Sequence, residues 1–115
     1  MCSLFFGAGL WCFMDLGSFR GLVSSGVVVV DFWADWCGAC RALFPQLDAL
    51  EKFYGPRGVR FVRLNHGDAS QIFNHLGVSS LPYVYVFKDG VPVQYVCGLV
   101  NRDSIEGAIR AALDD

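Results

Sequence analysis

The sequence predicts an α/β fold, a central mixed sheet of four or five strands with helices on both faces. Three observations carry this. The run Val27-Val28-Val29-Val30-Asp31-Phe32-Trp33 is β-branched, aromatic and nearly all apolar, the composition of a strand covered on both faces. Two longer stretches, Cys37 to about Tyr54 and Asn101 to Leu113, repeat apolar residues at helical spacing. Two further apolar runs flank Lys88-Asp89-Gly90, an Asp-Gly hairpin signal, so at least one strand pair is antiparallel.

Taken in order, Leu10 to Phe13 is expected to form a short strand, and Asp15 to Ser25 a short helix ended by Gly26. Val27 to Trp33 is a strand covered on both faces. In the helix from Cys37 to Tyr54, Leu43, Leu47, Leu50 and Phe53 recur at three and four, and Pro45 is expected to kink it. Gly55-Pro56-Arg57-Gly58 is a turn, and Val59 to Asn65 a strand. Asp68 is expected to cap a helix that runs to Leu76 and stops at Gly77. Pro82 to Phe87 and Val91 to Cys97 form the hairpin, and Pro92 marks the second as an edge strand. The last helix turns Ile105, Ala108, Ile109 and Ala112 to one face.

With 115 residues the chain is expected to fold as one domain, 1-115, with core enough to need no disulfide staples. Nine basic residues stand against eleven acidic ones, with no basic stripe. Neither nucleic acid nor an anionic membrane is the expected partner. The first fourteen residues are apolar and uncharged. They are too short to span a bilayer and lack the basic start of a secretory signal, so a divergent strand or a loose segment is expected there. The five cysteines are odd in number and irregularly spaced, which fits a reducing, cytoplasmic setting better than a stapled secreted fold.

Only Cys37 and Cys40 are close in sequence. A strand that delivers two cysteines to the start of a helix makes a redox device. The helix end offers free N–H groups and partial positive charge, which favour a thiolate, and the thiolate is the reactive form. Residues three apart on a first turn share a face, close enough to bridge. The alternatives are two small core residues or half of a zinc site. Zinc would need two more ligands, and no second C-x-x-C or H-x-x-x-H exists, so no metal is expected. Asp31 interrupts an apolar strand, where a carboxylate is costly. It is either a buried acid or an Asp turned to solvent. His66 and His75 read as surface residues. With Cys37 at the cap, Ala39 holds the second helical position, and its N–H is expected to point at the cap side chain.

From Phe19 onward the chain resembles the thioredoxin family. The strongest block is Val30-Asp31-Phe32-Trp33-Ala34-Asp35-Trp36-Cys37-Gly38-Ala39-Cys40. Pro45, Leu81-Pro82, Lys88-Asp89-Gly90 and Gly98 agree in order and separation. The departures are Ala39 in place of a proline, Arg63 in place of a lysine, Tyr83 in place of a small polar residue, and His66 in place of an apolar one. The resemblance implies the thioredoxin fold and a protein-disulfide reductase that needs no cofactor beyond its own disulfide. Cys37 would be the nucleophile, Cys40 the resolving thiol and Asp31 the acid that takes the Cys40 proton. It further implies a cis bond before Pro82 and an apolar docking surface of Trp36, Gly38, Ala39, Leu81, Pro82 and Gly98. Arg63, a permanent cation, would oppose the effect of burial on Asp31.

The implied partners are protein disulfides and a thioredoxin reductase drawing on reduced nicotinamide. A monomer is expected. Cys97, beside Gly98, is either a small apolar residue finishing an edge strand or a third thiol able to link two molecules. Two other functions stay open on the sequence: a thiol oxidase or disulfide isomerase, because of Ala39, and a binding subunit whose redox pair is idle.

Overall fold

The computed structural model describes residues 14–114. The expected strand at Leu10 to Phe13 lies outside them. Helix α1 (Leu16–Leu22) opens on Asp15, whose carboxylate accepts the Ser18 N–H at 2.7 Å. It ends at Val23, three residues short of Gly26. Gly26 serves instead as the left-handed residue before β1 (Val27–Trp33). Helix α2 (Gly38–Tyr54) runs through Pro45 as one element, and a single 3₁₀ turn (Gly55–Arg57) follows it. Strand β2 (Arg60–Asn65) leads directly into α3 (His66–Leu76).

The start of α3 differs from expectation. Its cap is Asn65, whose side chain accepts the Gly67 N–H at 2.8 Å. Asp68 lies inside the first turn, and the next residue, Ala69, leaves helical geometry with φ −137°. The expected starting point is therefore the point where the helix is interrupted. Strands β3 (Tyr83–Lys88) and β4 (Val91–Cys97) are joined through Asp89 (φ 51°) and Gly90 (φ 87°). Two successive positive φ values make this the hairpin turn that Asp-Gly favours. Helix α4 (Arg102–Asp114) closes the described chain, capped by Asn101, which accepts the Ser104 N–H at 2.9 Å.

The sheet order is β2-β1-β3-β4. β1 runs parallel to β2 and antiparallel to β3, and β3 runs antiparallel to β4. Pro92 thus sits on an edge strand, where its missing N–H disturbs no neighbour on the open side. Each face carries its own core. Val27, Val29, Val84 and Val86 pack with Leu43, Leu47 and Leu50 of α2 and Ile105 and Ile109 of α4. Val28, Val30 and Phe32 pack with Phe19 of α1 and Ile72 and Phe73 of α3. Central β1 supplies both, because alternate side chains of one strand face opposite ways. That double burial explains its nearly unbroken apolar run.

Candidate active site

Cys37 is the residue at which strand-like backbone becomes helix. Its φ and ψ are −100° and 97°, and it caps α2. Its N–H donates to the Ala34 carbonyl at 3.0 Å, closing the short turn that leaves β1. Cys37 and Cys40 are joined as a disulfide, with Cα atoms 5.3 Å apart. The Cys37 sulfur also accepts the Cys40 N–H at 3.2 Å. The donor is therefore the third helical residue, not Ala39 as the cap position suggested. Cys40 is fully buried, and Cys37 retains 8% exposure.

Around the disulfide, Ala34 packs against both cysteines, with Trp33 and Leu81 closing over them. The Leu81–Pro82 bond is cis. Trp36 is 74% exposed, so it is a surface residue and not part of the packed core. Gly38 and Ala39 form the exposed first turn of α2. Tyr83 pairs with Cys97 across the hairpin, so Pro82 and Gly98 are the residues that immediately adjoin the last pair of the β3–β4 register. Gly98 is held at φ 80°, and a Cβ built there would meet no atom within 4 Å. Glycine is required by the backbone, and the surface beside it is open.

Asp31 is buried to 1% exposure. In step with Val27 and Val29, it faces the side of the sheet that α2 and α4 cover, and Cys40 is a buried residue of α2. Neither carboxylate oxygen has a hydrogen-bond partner among the described residues. Burial raises its pKa to about 7, and the Arg63 guanidinium pulls it back only in part. Arg63 stands opposite Asp31 in the β1–β2 register. Its guanidinium, however, is bound to Asp48 of α2 at 2.5 Å and lies over the Phe44 ring, 4.6 Å from the centroid. Arg63 is thus an organised residue rather than a merely solvated one.

The structure gathers Trp36, Cys37, Gly38, Ala39, Cys40, Leu81 and Pro82 at one end of the sheet, with Gly98 alongside. His66 and His75 are exposed, as expected, and the His66 ring meets the Phe73 ring edge to face. Sequence reasoning missed Asp48, Asp35 and Arg41. The Arg41 guanidinium donates to the Asp35 backbone carbonyl, and the Asn65 amide donates to the Asp35 carboxylate at 3.1 Å. Together they tie down the loop before Trp36. Arg41 lies one helical turn after Cys37, a spacing that signals a shared face. Asp35 and Asn65 show no such signal, because they meet only across the β1–β2 pair. Among the described residues no group of His, Cys, Asp or Glu could hold a metal ion, and no helix is long and apolar enough to cross a membrane.

The thioredoxin family model matches residues 14–111. A thioredoxin from Chlamydia caviae is 38% identical over 88 residues, covering 76% of this chain and 84% of its own. The chloroplastic thioredoxin M4 of Arabidopsis thaliana is 35% identical over 92 residues, 80% of this chain and 47% of its own. The crystal structure of oxidised mitochondrial thioredoxin 3 from Saccharomyces cerevisiae superposes with a TM-score of 0.77 at 31% identity, covering 84% of this chain and 89% of that one. A bridged C-x-x-C pair at the mouth of α2, on a fold shared with these proteins, places the chain in the thioredoxin family as a thiol–disulfide oxidoreductase.

Proposed function

We propose that the protein reduces disulfides of other proteins, with Cys37 as nucleophile, Cys40 as resolving thiol and Asp31 as proton acceptor. The observation that carries this is the asymmetry of the pair. Cys37 caps the helix and reaches solvent beside exposed Trp36, whereas Cys40 is sealed beneath it. In the reduced protein the Cys37 thiolate attacks one sulfur of the substrate disulfide. The substrate S–S bond breaks, one substrate sulfur leaves as a thiolate, and a mixed disulfide remains. The Cys40 thiol then gives its proton to the Asp31 carboxylate and attacks the Cys37 sulfur. The Cys37–Cys40 bond forms, the second substrate thiolate leaves, and two electrons have passed to substrate. A carboxyl with a pKa near 7 accepts a proton without holding it too tightly or too weakly at neutral pH.

The docking surface in this reading is Trp36, Gly38, Ala39, Leu81, Pro82 and Gly98. In this reading the backbone of Leu81, beside the cis bond, pairs with an extended substrate segment. A thioredoxin reductase returns the disulfide to dithiol, and no other cofactor takes part. The exposed free thiol of Cys97 supports a reducing compartment, the cytoplasm, as the working location. The whole chain acts as one domain and as a monomer under reducing conditions. The test is insulin reduction by dithiothreitol. The wild type is expected to accelerate it and Cys37→Ser to lose the effect. Cys40→Ser is expected to trap substrate as a mixed disulfide. A Cys37→Ser variant as fast as wild type would refute the mechanism, and would point to a binding role with an idle redox pair.

A further inference from the structure

Arg63 and Asp31 stand side by side on neighbouring strands, yet they form no ion pair. An arginine cannot be neutralised, and directly opposite a buried carboxylate it would pair with it and hold it ionised. Three contacts hold the guanidinium against α2 instead. It binds the Asp48 carboxylate at 2.5 Å, lies over the Phe44 ring, and its Nη2 is 3.5 Å from the Phe44 carbonyl oxygen. Phe44 and Asp48 are one helical turn apart on α2, so a single face of that helix provides all three.

We propose that Asp48 is a positioning residue for the resolving step: by holding Arg63 against α2, it keeps Asp31 free of an ion pair and able to take the Cys40 proton. The inference rests on the role given to Asp31 above. Other charge around Asp31 does not compete. β3 places Val84 opposite it, and α4 packs Ile105 and Ile109 against this face. Glu106 of α4 is engaged with Tyr54 and Arg110. From α2 the groups are Cys40 and, through Arg63, Asp48. The Asp48 side chain is largely exposed, and such a pair contributes little to stability. Its effect is on where the Arg63 charge rests.

The experiment uses the full chain carrying Cys2→Ser, Cys12→Ser and Cys97→Ser, so that only the active pair reacts. The reduced protein is mixed with one equivalent of dithiobis(nitrobenzoate), and the second release of thionitrobenzoate reports resolution. Its rate is followed against pH, and the Asp31 carboxyl is titrated in parallel by its ¹³C shift in the oxidised protein. Asp48→Asn is expected to lower both midpoints by roughly one pH unit, as a freed guanidinium approaches the carboxylate. Arg63→Gln is expected to raise them, and the double variant to match Arg63→Gln, because Asp48 acts through Arg63. Unchanged midpoints in Asp48→Asn overturn the proposal. So does an equal downward shift in the Arg63→Gln background, which would mean that Asp48 acts directly. Asp31→Asn separates the two levels: if it leaves the pH profile of resolution intact, the role of Asp31 itself fails.

Discussion

At residue scale, the buried Asp31 carboxyl makes stability depend on pH. Its pKa is raised from 3.8 to about 7, so the folded protein binds a proton that the unfolded chain has released throughout that interval. Stability contributed by the neutral carboxyl is complete below the unfolded value and falls as pH rises toward 7. The ionised form costs the fold on the order of 4 kcal/mol at most. Asp31→Asn should therefore leave Tm nearly unchanged near pH 4 and raise it clearly at pH 8 while slowing turnover. Equal Tm gains at both pH values would contradict the assignment. Ala39 acts more gently. The Cys37 sulfur takes its hydrogen bond from Cys40, so the Ala39 N–H contributes only to the general field of the helix end. Ala39→Pro should lower the potential of the pair by on the order of 10 mV in glutathione equilibrium. A rise would show that the N–H of Ala39 does not favour the thiolate. The reactive pair and the buried acid were legible in the sequence because each violates its surroundings. Two cysteines break the odds of chance spacing, and a carboxylate breaks an apolar strand. Asp48 was not legible, because an acidic residue on the exposed face of a helix violates nothing.

At the scale of elements, the strands and the long helices followed from periodicity and hairpin chemistry, and β1 and β4 have the expected limits. The start of α3 did not, for a physical reason. Asn65 and Asp68 are both competent caps, three residues apart, and local propensity alone does not choose between them. Long-range contact decides. Asn65 spends its oxygen on the Gly67 N–H and its amide on Asp35, across the β1–β2 pair. One side chain thus starts α3 and steadies the loop that presents Trp36. Asn65→Ala should cost about 1 kcal/mol in urea unfolding as a lost cap. It should also reduce insulin turnover by several-fold, because the loop loses its tie to β2. A stability loss with full turnover would leave Asn65 a cap and nothing more. The same logic explains Gly98. Its need for positive φ reads from the structure, whereas the resemblance implied only a place in the docking surface.

At the scale of the whole molecule, the helices and strands present one exposed thiol away from the active pair among the described residues. Cys97 ends edge strand β4, opposite Tyr83 and one residue before Gly98. An accessible thiol beside a docking surface is open to oxidation, which a core thiol is not. In a Cys2→Ser, Cys12→Ser background, mild peroxide should slowly yield a covalent dimer that dithiothreitol reverses and Cys97→Ser abolishes. Cys97 should be alkylated without unfolding. A monomeric band after oxidation would rule out the linked dimer. The four-strand order itself was open from sequence alone. Apolar runs and a hairpin fix which strands exist and one pairing, but β1's central place depends on both helix layers closing over it.

That central place has a consequence in time. β1 is hydrogen-bonded on both edges, and Val28, Val30 and Phe32 are fully buried. In heavy water its amides would exchange last, only when the entire molecule opens, while the outer edge of β4 and the short α1 would exchange early. The turn that presents Trp36 and Cys37 hangs from this slowest strand. The exposed end of the site is thus carried by the part of the molecule that opens last, while the outer edge of β4 and α1 open first.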